Sequence, residues 1–152
     1  MSTSYLFSHD GLHDALTHLY APPFIYEVLN RRLKSMERHH GAVSALKVLM
    51  QPDDVQSDHY QSYESAIIDC AEMLERTLRP DDTIGRMGIF EFLIILAPDA
   101  QASSSHCEKS IATIAERINA LWSAAHRVPL ALSSATSYPG DEVKDLLNRL
   151  DS

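Results

Sequence analysis

Apolar residues recur every three or four positions from about Phe24 to Arg38, which predicts a helix with one apolar face. The apolar positions of this segment are Ile25, Val28, Leu29, Leu33 and Met36. The same spacing predicts helices over "SAIIDCAEMLERTLR", over roughly Cys107 to His126, and over the closing "DEVKDLLNRL". In the helix that begins near Cys107, the residues expected to face inward are Ile111, Ile114, Ile118, Leu121, Trp122 and Ala125. Near the start, "HDALTHLY" predicts one or two helical turns, which Pro22 and Pro23 stop.

Short apolar runs lie between the predicted helices and indicate strands. "AVSALKVLM" is almost entirely apolar, as expected for a central strand that is covered on both faces. "FEFLIILA" and "VPLALSSATS" are two further strands, and the first of them follows a tight turn after "TIGR". The centre of the chain therefore has the order β-α-β-β-α-β, the split βαβ plan. This order predicts an α/β (α+β) fold in which two helices pack on one face of a mainly antiparallel sheet.

The turn of the predicted hairpin, "MGIFEF", has an unusual composition. Gly88 is followed by the bulky apolar residues Ile89 and Phe90 and then by Glu91. Tight turns usually carry small or polar residues. We therefore infer that the apolar residues of this turn serve a contact or a packing role.

Composition narrows the function classes. The length of 152 residues indicates one domain. The formal net charge of −8 argues against broad nucleic-acid binding, which needs a basic surface. Any anionic ligand must then be held by a few local arginines or lysines. Cys70 and Cys107 lack metal-type spacing and read as reduced core residues, so a cytoplasmic location is expected. We find neither a signal peptide nor an apolar run of the roughly 20 residues that a membrane span needs.

Several motifs, in order and spacing, resemble the GGDEF domain family. "DALTHLYAPPF" is similar to the family's "D-x-L-T-x-L-x-N-R-x-x-F" signature. The shared positions are Asp14, Leu16, Thr17, Leu19 and Phe24. "RMGIFEFLIIL" stands where the family has "R-Y-G-G-D-E-F" and an apolar strand. The resemblance implies a nucleotide-cyclase-like sheet and a single GGDEF domain over residues 1–152, with residues 1–22 forming an extension and the signature turn.

The resemblance also implies what a catalytic member would need. Active members condense two GTP molecules into cyclic di-GMP and bind divalent metal through carboxylates. The positions of the signature turn here are Gly88, Ile89, Phe90, Glu91 and Phe92. Ile89 replaces the second glycine and Phe90 replaces the metal-binding acid. At the other metal segment, Lys47 to Met50 contain no acid, although a small gap would bring Asp53 or Asp54 nearby. We therefore expect no catalytic residue, no metal, no cofactor and no enzymatic activity.

One ligand site of the family is retained in outline. "RPDD" reads as R-x-x-D, with Arg79 and Asp82 at the spacing from Gly88 that the family uses for product binding. The resemblance implies cyclic di-GMP as the ligand, with Arg86 adding positive charge. A second arginine commonly completes such a site, and Lys109 or Arg117 are the candidates. The alternative is that this segment is an ordinary turn.

Two functional hypotheses follow. The first is an inactive signalling module that binds cyclic di-GMP through Arg79 and Asp82 or passes a signal through contacts with a protein partner. The second is a protein–protein interaction or dimerisation domain, including a homodimer, without a nucleotide ligand. For the turn, Ile89 and Phe90 either form an exposed contact surface or fold back into the vacant nucleotide pocket. His9 and His13 are four residues apart, a spacing that can chelate a metal ion, but they are more simply interpreted as surface histidines.

Overall fold

The computed structural model describes residues 7–38, 41–52, 63–97 and 104–151. Its helices are α1 (Pro22–Arg38), α2 (Glu64–Thr77), α3 (Ser104–Ala125) and α4 (Val143–Leu150). Its strands are β1 (Ser44–Met50), β2 (Thr83–Arg86), β3 (Glu91–Ile95) and β4 (Leu130–Thr136). The predicted β-α-β-β-α-β centre and the α/β fold class are confirmed. No helix in these ranges combines the length and the apolar character needed to cross a membrane.

The four strands form one antiparallel sheet in the order β2-β3-β1-β4. β1 lies between β3 and β4, and successive side chains of a strand point to opposite faces. On one face, Leu46, Val48 and Ile94 join a core that α2 and α3 cover. On the other face, Ala45 and Leu93 join a second core that α1 and α4 cover. The apolar run of β1 is thus explained, because both of its faces are buried.

The segment before α1 is not helical, so the prediction of helical turns over "HDALTHLY" was wrong. The segment instead forms isolated β-bridges between His9 and Asp14, and between His13 and Tyr20. The Asp14 carboxylate accepts hydrogen bonds from the backbone amide and the hydroxyl of Thr17, both at 2.8 Å. Short polar side chains that bond the local backbone in this way compete with helix formation.

The helix boundaries and inward faces differ in detail from the prediction. α1 begins at Pro22, because proline lacks an N–H group and is tolerated in the first helical turn. In α3, Ile111, Ile118 and Trp122 are buried as expected. Leu121 was expected to face inward, as was Ala125, but both are exposed, Leu121 by 50%.

Both cysteines lie in the core as free thiols. Cys70 on α2 is fully buried, and burial raises the pKa of its thiol to about 12. This placement supports their interpretation as core residues.

Gly85 allows α1 to pack directly on β2. A Cβ atom at this position would lie 2.6 Å from Ile25 Cδ1 and 3.3 Å from the Tyr20 carbonyl oxygen. Ile25 is completely buried in the second core, so it has little room to move away. The absence of a side chain at Gly85 therefore sets the distance between helix and sheet.

We predict that Gly85→Ala lowers the free energy of unfolding by about 1–3 kcal/mol, the usual cost of overpacking a core. Urea unfolding followed by circular dichroism measures this change. Gly88→Ala is the matched control, because a Cβ atom there would meet only the Cβ atom of Glu91, at 3.7 Å. Equal losses in the two variants would contradict the packing role of Gly85.

Candidate functional site

The turn that joins β2 to β3 is closed by backbone hydrogen bonds. The Met87 amide donates to the Glu91 carbonyl at 2.8 Å, and the Met50 amide donates to the Phe90 carbonyl at 2.8 Å. Among the described residues, positive φ angles occur only at Gly11, Gly140 and His18. Neither Gly88 nor Ile89 therefore requires the left-handed conformation that would favour glycine.

The side chains of Ile89 and Phe90 fold back toward the protein. Both are only partly exposed and pack against the core between the sheet, α2 and α3. The Phe90 ring meets the ring of Tyr63, just before α2, in an edge-on arrangement with centroids 5.7 Å apart. The hypothesis of an exposed apolar contact surface at this turn was wrong, since both side chains contribute to packing.

Arg86 at the end of β2 is completely buried and ties this turn to the segment before α1. Its Nη1 atom donates to both carboxylate oxygens of Asp14 at 3.1 Å, and its Nη2 atom donates to the Ile89 carbonyl at 2.8 Å. The guanidinium carbon also lies 5.3 Å from the centre of the Phe7 ring. Burial lowers the pKa of Arg86, and the neighbouring Asp14 carboxylate opposes that effect.

This placement removes Arg86 from the expected ligand site. Sequence reasoning grouped it with Arg79 and Asp82, but its charge is used inside the protein by Asp14, and its side chain has no exposed surface. We therefore assign Arg86 a structural role and correct its grouping with the ligand-binding residues.

Glu91 is the only acidic side chain at the turn, and a lysine lies beside it. Lys47 Nζ on β1 is 3.8 Å from Glu91 Oε1 and donates to Asp151 Oδ1 at 2.8 Å. The hydrogen bond to Asp151 raises the pKa of Lys47, and the charge of Glu91 adds to this effect. In the register of β1 and β3, Leu49 is opposite Glu91 and Val48 is opposite Phe92. The neighbouring strand thus supplies no second carboxylate.

The described ranges contain no group of three or more His, Cys, Asp or Glu side chains that could hold a metal ion. Asp53 and Asp54, the alternative metal ligands, lie outside the described residues. His9 Nδ1 accepts a hydrogen bond from the Gly11 amide at 3.0 Å, so that atom is engaged within its own turn.

The R-x-x-D segment forms a closed turn in which its two charged residues have different environments. The Asp82 carboxylate accepts hydrogen bonds from the Arg79 amide at 3.0 Å and from the Ala97 amide at 2.7 Å. Its side chain is 1% exposed, whereas the side chain of Arg79 is 72% exposed. Arg79 Nη2 lies 3.7 Å from Asp82 Oδ1. Asp82 thus orders the turn, and Arg79 presents its guanidinium to solvent.

Arg79 lines an open cavity of about 280 Å³ between the N-terminal segment and the end of α2. Its other lining residues are His13, His18, Leu19, Tyr20, Glu75, Pro80, Asp82 and Ile84. Arg117 instead lines a larger cavity of about 540 Å³ between α2 and α3, together with Arg76. Lys109 lines neither cavity. The structure therefore does not bring either predicted second cation into the cavity of Arg79.

Sequence reasoning missed three residues around this turn. Arg32 on α1 donates to the Leu96 carbonyl at 2.8 Å and to the Thr83 hydroxyl at 3.1 Å. The charge of Asp82 partly offsets the lowering of the Arg32 pKa by burial. His13 and His18 were also missed as neighbours of Arg79, because about 60 residues of sequence separate them from it. No local motif signals such contacts.

Comparison with known proteins decides the family. The family described as "Diguanylate cyclase, GGDEF domain" matches residues 11–152. The chain belongs to the GGDEF domain family. A search of curated proteins found no match to this sequence.

Solved GGDEF structures share the fold at low sequence identity. The coiled coil and GGDEF domain of DgcB from Caulobacter crescentus, in complex with c-di-GMP, aligns with a TM-score of 0.79 and 18% identity, over 93% of this chain and 78% of that chain. The FimX GGDEF domain from Pseudomonas aeruginosa aligns with a TM-score of 0.72 and 12% identity, over 91% and 88% of the two chains. The diguanylate cyclase SiaD from Pseudomonas aeruginosa, in complex with its activator SiaC, aligns with a TM-score of 0.74 and 20% identity, over 91% and 55%.

In this GGDEF domain the signature turn is therefore "GIFEF", and its side chains lie on both faces of the sheet. Ile89 and Phe90 lie against the α2–α3 core, and Glu91 points to the opposite face of the sheet, toward Lys47. The turn is held by Arg86, which stands at the position of the arginine in the family's "R-Y-G-G-D-E-F" signature. Its chemistry is that of a packed hairpin with one ion-paired carboxylate.

We predict that Asp14→Asn destabilises this GGDEF domain by about 3–5 kcal/mol, because it leaves the buried Arg86 cation without its counterion. Chemical unfolding measures the loss. Glu27→Gln is the matched control, since it breaks the exposed Glu27–Arg31 pair, which is worth at most about 1 kcal/mol. A loss for Asp14→Asn as small as that of the control would show that the buried pair does not hold the fold.

Proposed function

We propose that this chain is a non-catalytic GGDEF signalling module that binds cyclic di-GMP through Arg79. The observation that carries the proposal is the contrast between the two turns that precede and follow β2. The signature turn is filled by apolar side chains, whereas the R-x-x-D turn is ordered and presents an exposed guanidinium beside a cavity.

The loss of catalysis follows from the needs of phosphoryl chemistry. Mg²⁺ is usually held by one or two carboxylates together with substrate phosphates, and the metal offsets the phosphate charge. Here Phe90 occupies the position of an acid and packs against Tyr63. The one acid of the turn, Glu91, lies 3.8 Å from Lys47 Nζ, a cation that it shares with Asp151. A divalent cation there would meet Lys47 at close range.

The ligand proposal rests on the chemistry of arginine and on the family. An arginine guanidinium binds phosphate oxygens, or the O6 and N7 atoms of guanine, through two parallel hydrogen bonds. The related DgcB structures were determined in complex with c-di-GMP. Arg79 is the exposed cation of its cavity, and the Asp82 turn fixes its backbone. The Asp82 side chain is only 1% exposed, so guanine could not reach its carboxylate without a local rearrangement, and we assign Asp82 mainly the positioning of Arg79.

Calorimetric titration with cyclic di-GMP tests this proposal. We expect saturable binding to the wild-type protein and at least about a tenfold weaker affinity for Arg79→Ala, because the variant loses a bidentate, charge-assisted contact. Arg31→Ala is the matched control, since Arg31 is similarly exposed and does not line the Arg79 cavity. Arg117→Ala shows whether the larger neighbouring cavity contributes.

The absence of heat with the wild-type protein would refute cyclic di-GMP binding. Equal affinity of the wild type and Arg79→Ala would refute Arg79 as the binding residue, although cyclic di-GMP would still be a ligand. A loss confined to Arg117→Ala would move the site to the cavity between α2 and α3.

Incubation with GTP and Mg²⁺, followed by chromatography, tests the absence of catalysis. We expect no cyclic di-GMP from the wild type. We also expect none from the double variant Ile89→Gly, Phe90→Asp, because the described residues of β1 place Leu49 and Val48, and no carboxylate, opposite the end of the turn. Product formation by the wild type would overturn the proposal, and product formation only by the double variant would show that the turn alone had been limiting.

A role in protein interaction is the second candidate, and one observation favours it. Leu121 is 50% exposed on α3, and it lines the cavity of about 540 Å³ that also contains Arg76 and Arg117. The related cyclase SiaD was solved with an activator protein, SiaC. A protein partner, a homodimer and a cytoplasmic location remain predictions, and negative calorimetry would make the interaction role the leading one.

A further inference from the structure

We infer that His13 and His18 complete the Arg79 cavity as a phosphate-binding site whose affinity for anions rises as the pH falls. This inference rests on the proposed function and adds the regulation of the same site. Its starting point is the lining of the cavity, where two histidines from the N-terminal segment face an arginine and two carboxylates from α2 and the turn that follows it.

The permanent charges of this cavity do not favour an anion. Arg79 supplies one positive charge, whereas Glu75 and Asp82 supply two negative charges. The charge of Asp82 also acts on Arg32, a cation outside the cavity lining whose guanidinium donates hydrogen bonds to the Leu96 carbonyl and the Thr83 hydroxyl. With both histidines neutral, the lining therefore has a net negative charge, in a chain whose formal net charge is already −8. Coulomb repulsion would oppose the entry of an anionic ligand.

Protonation of the histidines reverses this balance. Histidine is the side chain whose charge normally changes between about pH 5 and 8. With both rings protonated, three cations face two carboxylates, so the lining becomes net positive. His13 has one further acidic neighbour, Asp10, whose carboxylate accepts from the His13 amide at 2.8 Å. Asp10 does not line the cavity.

The backbone holds both histidines in place. His18 has a φ angle of 64°, an uncommon conformation for a residue other than glycine. The turn is fixed by the His18 amide, which donates to the Asp14 carbonyl at 3.0 Å, and by the bonds from Thr17 to the Asp14 carboxylate. The ring of His13 stacks on that of Tyr20, with centroids 5.3 Å apart. Both side chains are exposed to solvent, so protons and ligands can reach them.

The test measures the affinity for cyclic di-GMP and for sulfate at about pH 5.5 and about pH 8, on either side of the usual histidine range. Neither ligand changes its charge over this range, so a change in affinity reports on the protein. We expect wild-type affinity to rise by roughly three- to tenfold at the lower pH, as one or two unit charges near an open site would produce.

Substitutions at the two histidines isolate their contribution. His13→Phe keeps a ring that can stack on Tyr20, and His18→Asn suits the left-handed backbone, so the double variant removes both charges with little change in structure. We expect this variant to bind with the same affinity at both pH values. His126→Phe is the matched control, because His126 stacks on Trp122 away from this cavity and should keep the wild-type pH dependence.

The outcomes separate this inference from the proposed function. Cyclic di-GMP binding without pH dependence, or a dependence that survives in the double variant, overturns the inference and leaves the receptor function. Sulfate binding with histidine-dependent affinity, but no cyclic di-GMP binding, overturns the receptor function and supports the anion site. The absence of binding by either ligand at both pH values overturns both.

Discussion

The buried ion pair between Asp14 and Arg86 connects the parts of this protein that matter for function. It joins the segment before α1 to the end of β2, and the same arginine reaches the Ile89 carbonyl in the signature turn. A charge taken out of water is costly unless it is paired and hydrogen-bonded, so neither partner can be removed alone without a large loss. The pair therefore fixes the turn and the N-terminal segment relative to each other, and the N-terminal segment lines the candidate ligand site.

The position of the signature turn determines which partners its side chains contact. With the Ile89 carbonyl held by Arg86, the neighbouring side chains point toward the core between the sheet and α2, where Phe90 meets Tyr63. Glu91 faces the other side of the sheet and pairs with Lys47. In this hairpin, apolar packing and one ion pair occupy the signature turn, so the residues on which the proposed loss of catalysis rests also contribute to the packing of the fold.

The strands could be predicted well from the sequence, because β1 and β3 are short apolar runs buried on both faces, a pattern typical of central strands. The prediction failed for "HDALTHLY", where the Asp14 carboxylate bonds the amide and the hydroxyl of Thr17 and holds a turn that apolar spacing cannot reveal. The R-x-x-D motif drew attention to Arg79, whose side chain is exposed. It did not reveal that Asp82 is buried, since the partner amide of Ala97 belongs to a distant position in the chain. The histidines beside Arg79 could not be predicted for the same reason.

Nuclear magnetic resonance tests most directly whether the GIFEF turn is a packed structural element and not a metal site. Mn²⁺ prefers the same carboxylate and water ligands as Mg²⁺ and broadens the signals of nearby nuclei. With Mn²⁺ and GTP present, we predict that the amide signals of Gly88, Ile89 and Glu91 keep the same relative intensity as that of Gly140, which lies in an exposed turn. Selective and saturable broadening of the three turn signals would contradict it.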